Sequence, residues 1–322
     1  MVKLARTDGP SWAQILAAKE RIGSWIHKTP VLTCSALDRM TGARLYFKAE
    51  NLQRTGSFKF RGASNAVLSL DEKEARTGVA THSSGNFAQA LALAARLRGL
   101  PAYIVMPGDA PATKREAVEA YGGIVTECAA NPFSRETTLA AVVRRTGAVF
   151  VHPYDDPVVI AGQGTAALEL VKEIPDMDML VAPLGGGGLL SGTAIAAKGL
   201  RPDLRVFGAE PETADDAYQS LATGRLAPPR PGRTVADGLR TGLSERTFAI
   251  LRRDLSAICR VSDREILQAM RLLWERAKTV VEPSGAAGLA AVLRERDTFA
   301  GRKIGIILSG GNMDFKQLKD CP

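Results

Sequence analysis

The sequence of 322 residues predicts an α/β fold built from two doubly wound parallel sheets. Strand-like and helix-like segments alternate with regularity from Gly78 onward. The strand-like segments are continuously apolar rather than alternating, which is typical of strands that helices cover on both faces. Three of these strands lead into short segments rich in glycine, serine and asparagine, at the strand ends where open α/β sheets bind ligands.

The N-terminal part is predicted to start with an amphipathic helix. Ser11 and Gln14 form the pattern of a capping box, and apolar residues recur at helical spacing over 12–26. Thr29-Pro30 ends this pattern. The following predicted elements are a short helix over 37–40, a strand over 45–50 and a helix over 59–70.

Two series of strand and helix pairs follow. Together they predict a smaller, substrate-closing domain over 78–155 and a larger ligand-binding domain over 1–77 and 156–322, with the ligand between them. The first series has strands over 79–81, 103–106, 124–127 and 149–151 and helices over 88–98, 114–120 and 135–145. The second has strands over 180–184, 206–210, 257–261 and 304–308 and helices such as 166–173 and 263–278, the latter with a capping box of Ser262 and Glu265.

The composition is typical of a globular enzyme and argues against several kinds of partner. No apolar segment is long enough to span a bilayer and no leader is apparent, so we expect a cytoplasmic protein without a membrane partner. The net charge of +8 comes from scattered basic pairs, so no nucleic-acid partner is expected. Four widely separated cysteines predict reduced thiols and no zinc site: Cys34, Cys128, Cys259 and Cys321.

The segment GSFKFRG at 56–62 holds one lysine between aromatic residues at a predicted junction of loop and helix. A lysine deprived of water loses part of its preference for the ammonium form, so its pKa falls and its amine can attack a carbonyl. Lys59 is therefore a candidate for forming a Schiff base. The structural alternative is a lysine whose stem lies along apolar surface while its amine stays in solvent.

Four consecutive glycines follow the predicted strand over 180–184 and precede an apolar helix. Without side chains in the way, several backbone N–H groups can converge on one anion, such as a phosphate, and the helix dipole adds to the attraction. The pattern is neither a Walker A loop nor a clean GxGxxG motif. The alternative is a tight turn, which needs only one or two of these glycines: Gly185, Gly186, Gly187 and Gly188.

Two more strand ends carry small polar residues. The sequence SSGN at 83–86 precedes a helix, so its amides and hydroxyls suit a carboxylate, although Asn86 could instead only cap that helix. The sequence SGGN at 309–312 follows the last predicted strand. Both segments are candidate ligand contacts.

These four motifs, GSFKFRG, SSGN, GGGGLLSG and SGGN, resemble in order and spacing the fold-type II pyridoxal-phosphate enzymes of the serine/threonine dehydratase and serine racemase group. The resemblance implies a tryptophan synthase β-like fold with pyridoxal 5'-phosphate between the two domains. It further implies that Lys59 links covalently to the cofactor, that Gly185 to Gly188 hold its phosphate, that Phe58 and Asn86 contact its ring and phenolic oxygen, and that Ser309 meets its pyridine nitrogen.

The resemblance also implies a reaction. A serine at the ring nitrogen leaves the ring nearly neutral, which favours elimination over transamination. The expected activity is a dehydratase, an ammonia-lyase that converts a β-hydroxy amino acid to a 2-oxo acid and ammonia, with Lys59 removing the α-proton. Ser84 matches the second acid-base residue of the racemases in this group, so serine racemase is an alternative. A homodimer is expected from the group alone.

A cation site is implied as well. Glu210, Ala214 and Asp216 match the divalent-cation site of the racemases, with Ala214 contributing its carbonyl. Two carboxylates with a carbonyl and waters suit Mg²⁺ or Ca²⁺. The alternative is a pair of acidic residues on a solvated loop.

One departure from the group concerns the substrate. The group usually continues SSGN with histidine, whereas this chain has Phe87. If Phe87 lines the pocket, it favours threonine or a bulkier 3-substituted serine such as phenylserine over hydroxyaspartate, whose second carboxylate would be costly to desolvate. Arg135, which matches a pocket-proximal arginine of the racemases, could compensate, and a hydroxyaspartate dehydratase therefore stays open. Alternatively, Phe87 is an ordinary core residue.

The predicted substrate contacts are Ser83, Ser84, Gly85, Asn86, Phe87 and Arg135. An alternative of a different class is a non-catalytic protein that binds a phosphate ligand with the same fold. The intact Lys59 argues against this alternative, because binding alone needs no Schiff base.

Overall fold

A computed structural model describes residues 8–110, 112–229 and 232–313. Its strands are β1 (Val31–Leu32), β2 (Arg44–Ala49), β3 (Val79–His82), β4 (Ala102–Pro107), β5 (Gly123–Cys128), β6 (Val149–Phe150), β7 (Met179–Pro183), β8 (Arg205–Pro211), β9 (Ala257–Val261) and β10 (Lys303–Leu308). Its helices are α1 (Trp12–Ile22), α2 (Ser35–Thr41), α3 (Lys59–Ser69), α4 (Glu72–Thr77), α5 (Asn86–Arg98), α6 (Ala112–Ala120), α7 (Pro132–Thr146), α8 (Pro157–Glu173), α9 (Gly188–Leu200), α10 (Asp216–Thr223), α11 (Glu245–Asp254), α12 (Asp263–Arg276), α13 (Pro283–Arg294) and α14 (Arg296–Phe299).

The strands form two sheets. A six-stranded sheet has the order β1-β2-β10-β7-β8-β9, and a four-stranded sheet has the order β5-β4-β3-β6. All neighbouring strands are parallel except β1 and β2. The predicted α/β class with parallel sheets is therefore confirmed. Strand β1 was not predicted, because two residues next to a proline carry too little periodicity to mark a strand.

The two sheets draw on different parts of the chain. All four strands of the smaller sheet come from residues 79–150, whereas the larger sheet combines strands from 31–49 with strands from 179–308. Helix α8, which follows the smaller sheet, packs against α3 and α9. The domain bounds at 77/78 and 155/156 stay a prediction, because sheet membership does not decide which residues move together.

The predicted helix starts at Ser11 and Ser262 are present as capping boxes. Ser11 accepts a hydrogen bond from the Gln14 backbone N–H, and the Gln14 side chain accepts one from the Ser11 N–H in return. Helix α1 ends at Ile22, earlier than the apolar pattern suggested, and Gly23 follows it. Glycine has low helix propensity, so the chain leaves the helix there.

A buried charge network, which we call the Arg61 network, lies at the start of α3. It consists of Lys48, Glu50, Arg61 and Glu169, and the side chains of Lys48, Glu50 and Arg61 are fully buried. Arg61 pairs with Glu50 and with Glu169, in each case at 2.7 Å, and Lys48 Nζ lies 2.7 Å from Glu169. Burial raises the pKa of Glu169, but the hydrogen bond from Arg61 opposes this effect and holds the pKa below its usual range. The network thus fixes the first turn of the helix that carries Lys59.

None of the described helices is both long enough and apolar enough to cross a membrane. Cys34, Cys128 and Cys259 are free thiols, as predicted, and Cys321 lies outside the described residues.

Candidate active site

Lys59 is the first residue of α3 and lies half-buried between two aromatic rings. Its Nζ is 5.0 Å from the ring centroid of Phe58 and 5.7 Å from that of Phe87, and it donates a hydrogen bond of 3.1 Å to the carbonyl of Pro153. Burial lowers the pKa of Lys59 to about 8, with Glu282 acting in the opposite direction. The amine is therefore easier to deprotonate than an ordinary lysine.

The aromatic partners of Lys59 differ in part from those adjacent in sequence. Phe60 is buried in the apolar core around α3 and α5, and Phe87, which comes from the start of α5, takes the second place beside the amine. Phe87 also belongs to this core and is only 2% exposed. Phe87 is thus both a core residue and a neighbour of Lys59.

The four glycines form the turn between β7 and α9. Gly187 has φ +84°, which favours glycine, and a Cβ at Gly186 would lie 2.6 Å from the Tyr154 ring. A Cβ at Gly185 would lie 2.9 Å from the backbone of Leu239. Close packing therefore explains these glycines without a ligand. The observation that favours an anion is different: no side chain caps the N-terminus of α9, which leaves its backbone N–H groups available.

Asn86 links the start of α5 to the start of α13 and to the segment that follows β10. It is the first residue of α5, and its side chain makes no cap there, so the capping alternative is wrong. Its amide donates a hydrogen bond of 2.8 Å to Glu282, and its Oδ1 accepts one of 2.9 Å from Asn312. The neighbouring Ser83 accepts a hydrogen bond from the Gly85 N–H through its Oγ.

The end of β10 lies beside the loop that carries Lys59. The carbonyl of Ser309 accepts a hydrogen bond of 3.0 Å from the Phe58 N–H, and the Gly311 N–H donates one of 2.9 Å to Gly56. Asn312 donates a hydrogen bond of 2.7 Å to the carbonyl of Thr55. The structure therefore brings together SGGN, SSGN and the segment 56–62, which carries Lys59 and which we call the lysine loop.

Glu282 is a site residue that the sequence did not reveal. It is 5% exposed and lies at the start of α13. Its Oε1 would be 2.6 Å from a Cβ at Gly310. Burial, with a smaller effect of Asp237, raises the pKa of Glu282 to about 8. It is one of 34 acidic residues, and neither its neighbours nor its spacing distinguish it from the others.

Arg135 and Ser84 come from the smaller sheet's half of the molecule. Arg135 lies on α7 and is half-buried. Burial is the main cause that lowers the pKa of His82, and the charge of Arg135 is the second. Arg135 therefore lies near His82, at the end of β3. Among the described residues, no carboxylate pairs with Arg135. Ser84 is half-buried in the turn between β3 and α5.

The three predicted cation ligands are close together and buried. Glu210, Ala214 and Asp216 are 1%, 1% and 3% exposed. The Glu210 carboxylate accepts hydrogen bonds of 2.9 Å from the N–H groups of Ala217 and Tyr218. Burial, with smaller effects of Asp216 and Asp215, raises the pKa of Glu210 to about 8 despite these bonds. Within the described residues, no group of three or more His, Cys, Asp or Glu side chains has metal-binding geometry.

The family follows from comparison with known proteins. A model of the pyridoxal-phosphate dependent enzymes matches residues 22–310. The chain belongs to this family. It is 49% identical to the β-hydroxyaspartate dehydratase of Paracoccus denitrificans, over 96% of this chain and 98% of that protein. It is 48% identical to the serine racemase of Dictyostelium discoideum, over 94% of this chain and 95% of that protein.

A solved structure agrees with this assignment. The structure of maize serine racemase superposes with a TM-score of 0.94 at 44% identity, covering 97% of this chain and 96% of that chain. The expected fold-type II architecture is therefore confirmed, and pyridoxal phosphate is the cofactor of the family.

The residues present fit this cofactor. Lys59 offers an amine of lowered pKa to an aldehyde, and the uncapped N-terminus of α9 offers N–H groups to a phosphate. Asn86 and Ser309 lie next to the lysine loop, where polar groups can meet the ring substituents.

Proposed function

We propose that this pyridoxal-phosphate enzyme is an ammonia-lyase that converts a β-hydroxy amino acid into a 2-oxo acid and ammonia. The observation that carries the proposal is the position of Lys59, whose pKa is lowered to about 8 where the lysine loop, SGGN and α5 meet. The high identity to a dehydratase over nearly the whole chain supports the reaction class.

Each residue has a distinct role in this proposal. Lys59 would hold the cofactor covalently, and its free amine would accept the α-proton of the substrate. The N–H groups of Gly185 to Gly188 hold the phosphate, while Phe58, Asn86 and Ser309 orient the ring. The bound cofactor withdraws electrons from the substrate carbon that loses the proton. The SSGN turn, with Ser83, Ser84 and Gly85, binds the substrate carboxylate.

The first experiment tests the cofactor link. Purified protein should show the visible absorption of bound cofactor, and Lys59→Ala should lose this absorption and about 10³-fold or more of its ammonia production. Lys19→Ala is the matched control, because Lys19 is an exposed lysine of α1. A wild-type protein that takes up no cofactor would refute the proposal.

A second candidate, a hydroxyaspartate dehydratase, is favoured by Arg135. A half-buried guanidinium without a carboxylate partner can neutralise the second carboxylate of such a substrate, and one relative is named for β-hydroxyaspartate. The preference for threonine or phenylserine rests on Phe87 and stays a prediction.

A substrate panel separates these candidates. We would compare kcat/KM for serine, threonine, phenylserine and hydroxyaspartate in wild type, Phe87→His and Arg135→Met. If Arg135 binds a carboxylate, Arg135→Met should lower kcat/KM for hydroxyaspartate alone, by about tenfold or more. If Phe87 determines the substrate preference, Phe87→His should reduce the preference for apolar β-substituents. The amount of D-serine formed from L-serine measures any racemase activity, and Ser84→Ala should abolish it.

We also propose that Glu210, Asp216 and the carbonyl of Ala214 bind Mg²⁺ or Ca²⁺. Burial, with smaller effects of Asp216 and Asp215, raises the pKa of Glu210 to about 8, and a cation bound to its carboxylate would favour the ionised form. Chelator should lower the melting temperature, and either cation should restore it, whereas Glu210→Gln should remove the response. A wild-type melting temperature that ignores both chelator and cation would exclude the site.

The remaining assignments concern the whole molecule. We propose a cytoplasmic homodimer in which residues 78–155 close over the substrate that residues 1–77 and 156–322 help to bind. Light scattering tests the dimer, cell fractionation tests the location, and scattering profiles with and without substrate test the closure.

A further inference from the structure

The segment 151–156 contacts the candidate site at two points. It connects β6 to α8 and thus leads from the smaller sheet to the helices of the larger one. The carbonyl of Pro153 accepts the hydrogen bond from Lys59, at 3.1 Å. The Tyr154 ring packs on the glycine turn so closely that a Cβ at Gly186 would lie 2.6 Å from it. The conformation of this segment therefore sets the surroundings of both the amine and the proposed phosphate site.

One side chain fixes the conformation of this segment. His152 Nδ1 lies 2.8 Å from the backbone nitrogen of Asp155 and 3.3 Å from that of Tyr154. Because a backbone N–H can only donate, Nδ1 must be the acceptor in both bonds. The imidazole ring also packs edge-on against the Tyr154 ring, with centroids 4.6 Å apart. His152 thus holds the backbone of the turn and the aromatic ring that the turn presents.

This arrangement requires the neutral imidazole with its proton on Nε2, since the imidazolium has no acceptor. The surroundings favour the neutral form. Burial is the main cause that lowers the pKa of His152 to about 4, and His82, Lys59 and Arg246 act in the same direction, while Asp155 opposes them. Asp155 is itself paired with Arg246 of α11.

We propose that His152 is a positioning residue that holds the Pro153–Tyr154 turn against Lys59 and the glycine turn through the acceptor Nδ1 of its neutral imidazole. The inference rests on the proposed roles of Lys59 and the glycine turn in binding the cofactor, but not on the identity of the substrate. Without this acceptor, two backbone N–H groups lose their partner, the turn relaxes, and the carbonyl of Pro153 and the Tyr154 ring move away from the site.

A matched pair of variants tests the acceptor. In His152→Asn, the Oδ1 atom lies the same number of bonds from Cα as Nδ1, and asparagine commonly accepts hydrogen bonds from the N–H groups two and three residues ahead. His152→Leu is similarly branched but has no acceptor. We expect His152→Leu to weaken cofactor affinity by about tenfold and to shift the pH titration of the bound cofactor's visible absorption. His152→Asn should recover most of both properties.

The outcomes are distinct. Leucine and asparagine variants with equal cofactor affinity and equal titration curves would overturn the proposal, whether both resemble wild type or both fail. If His152→Leu does not fold, the wild type still provides a test: ¹⁵N NMR of its three histidines in the cofactor-free protein should show His152 as the Nε2–H tautomer at neutral pH. An Nδ1–H tautomer or an imidazolium would refute the proposal. Neither measurement depends on which substrate the enzyme uses, so failure of the proposed reaction would be recognised separately.

Discussion

Lys59 and Arg61 lie two residues apart at the start of α3, yet their electrostatic environments are opposite. Arg61 is fully buried and paired with Glu50 and Glu169 at 2.7 Å. Lys59 has no salt bridge among the described residues, and its closest polar partner is the neutral carbonyl of Pro153. The nearby carboxyl of Glu282 is bound to Asn86 instead.

The difference in ion pairing distinguishes the Arg61 network, which is structural, from the surroundings of Lys59, which suit proton transfer. Pairing in the Arg61 network keeps the pKa of Glu169 below its usual range even though burial alone would raise it. At the site, burial without pairing moves the pKa of Lys59 down and that of Glu282 up, both to about 8. Groups that titrate near neutral pH can exchange protons with a substrate, whereas the paired groups cannot. The first turn of α3 thus contains a paired structural residue, Arg61, and a reactive residue, Lys59.

The largest effect should come from breaking the pairing. Arg61→Met would leave the buried Glu50 without its ion pair and Glu169 with Lys48 alone. Removal of one partner of a buried pair typically costs about 3–5 kcal/mol of unfolding free energy. Denaturant unfolding of the cofactor-free protein measures this loss. Arg201→Met is the control, because Arg201 and Asp203 form an exposed pair, for which about 0–1 kcal/mol is expected. Equal losses in the two variants would contradict the distinction.

A second test uses the pH dependence of stability at Glu282. Its folded pKa, about 8, lies above the ordinary value of 4.5, so its contribution to stability is complete below pH 4.5 and is lost as pH rises through 8. Glu282→Gln should therefore flatten the decline of the unfolding free energy between these values, by up to about 1.4 kcal/mol per pH unit. Glu275→Gln, on an exposed pair, should leave the profile unchanged. Parallel wild-type and Glu282→Gln profiles would show that Glu282 is ionised throughout.

The smallest effect should appear at Lys59, with the opposite sign. Its folded pKa of about 8 lies below the ordinary 10.5. The folded state therefore binds fewer protons than the unfolded state between these values, and stability should rise with pH across that window. Lys59→Met should remove this rise and melt at a higher temperature than wild type at pH 7. Melting temperatures of the cofactor-free proteins from pH 7 to 10 provide the measurement, and a lower melting temperature of Lys59→Met at pH 7 would contradict it.

The sequence predicted the elements of the site better than their contacts. Ligand motifs at the ends of parallel strands can be recognised because the strand period and the small residues are local signals. That is why all four motifs were recognised, and three of them, GSFKFRG, SSGN and SGGN, contact one another around α3 and the end of β10. The fold class followed from the same local patterns.

Contacts between distant segments were not predictable in the same way. Glu282 becomes a site residue only because α13 brings it to Asn86, which is far away in sequence. The second aromatic neighbour of Lys59 is Phe87 rather than the adjacent Phe60, since a helix turns Phe60 into the core. The glycines at 185 and 186 are needed for packing against Leu239 and Tyr154, which no local pattern reveals.

The order of the strands has a consequence for how the protein is made. All strands of the four-stranded sheet are contiguous in sequence, so this sheet can pair as soon as Phe150 has left the ribosome. In the six-stranded sheet, β2 lies next to β10 and reaches β7 only through it. During synthesis, β2 must therefore remain without its parallel neighbour until Leu308 has emerged, with apolar surface exposed in the meantime. The larger sheet, whose strand β2 leads into the lysine loop, is thus the last part of the nascent chain to close.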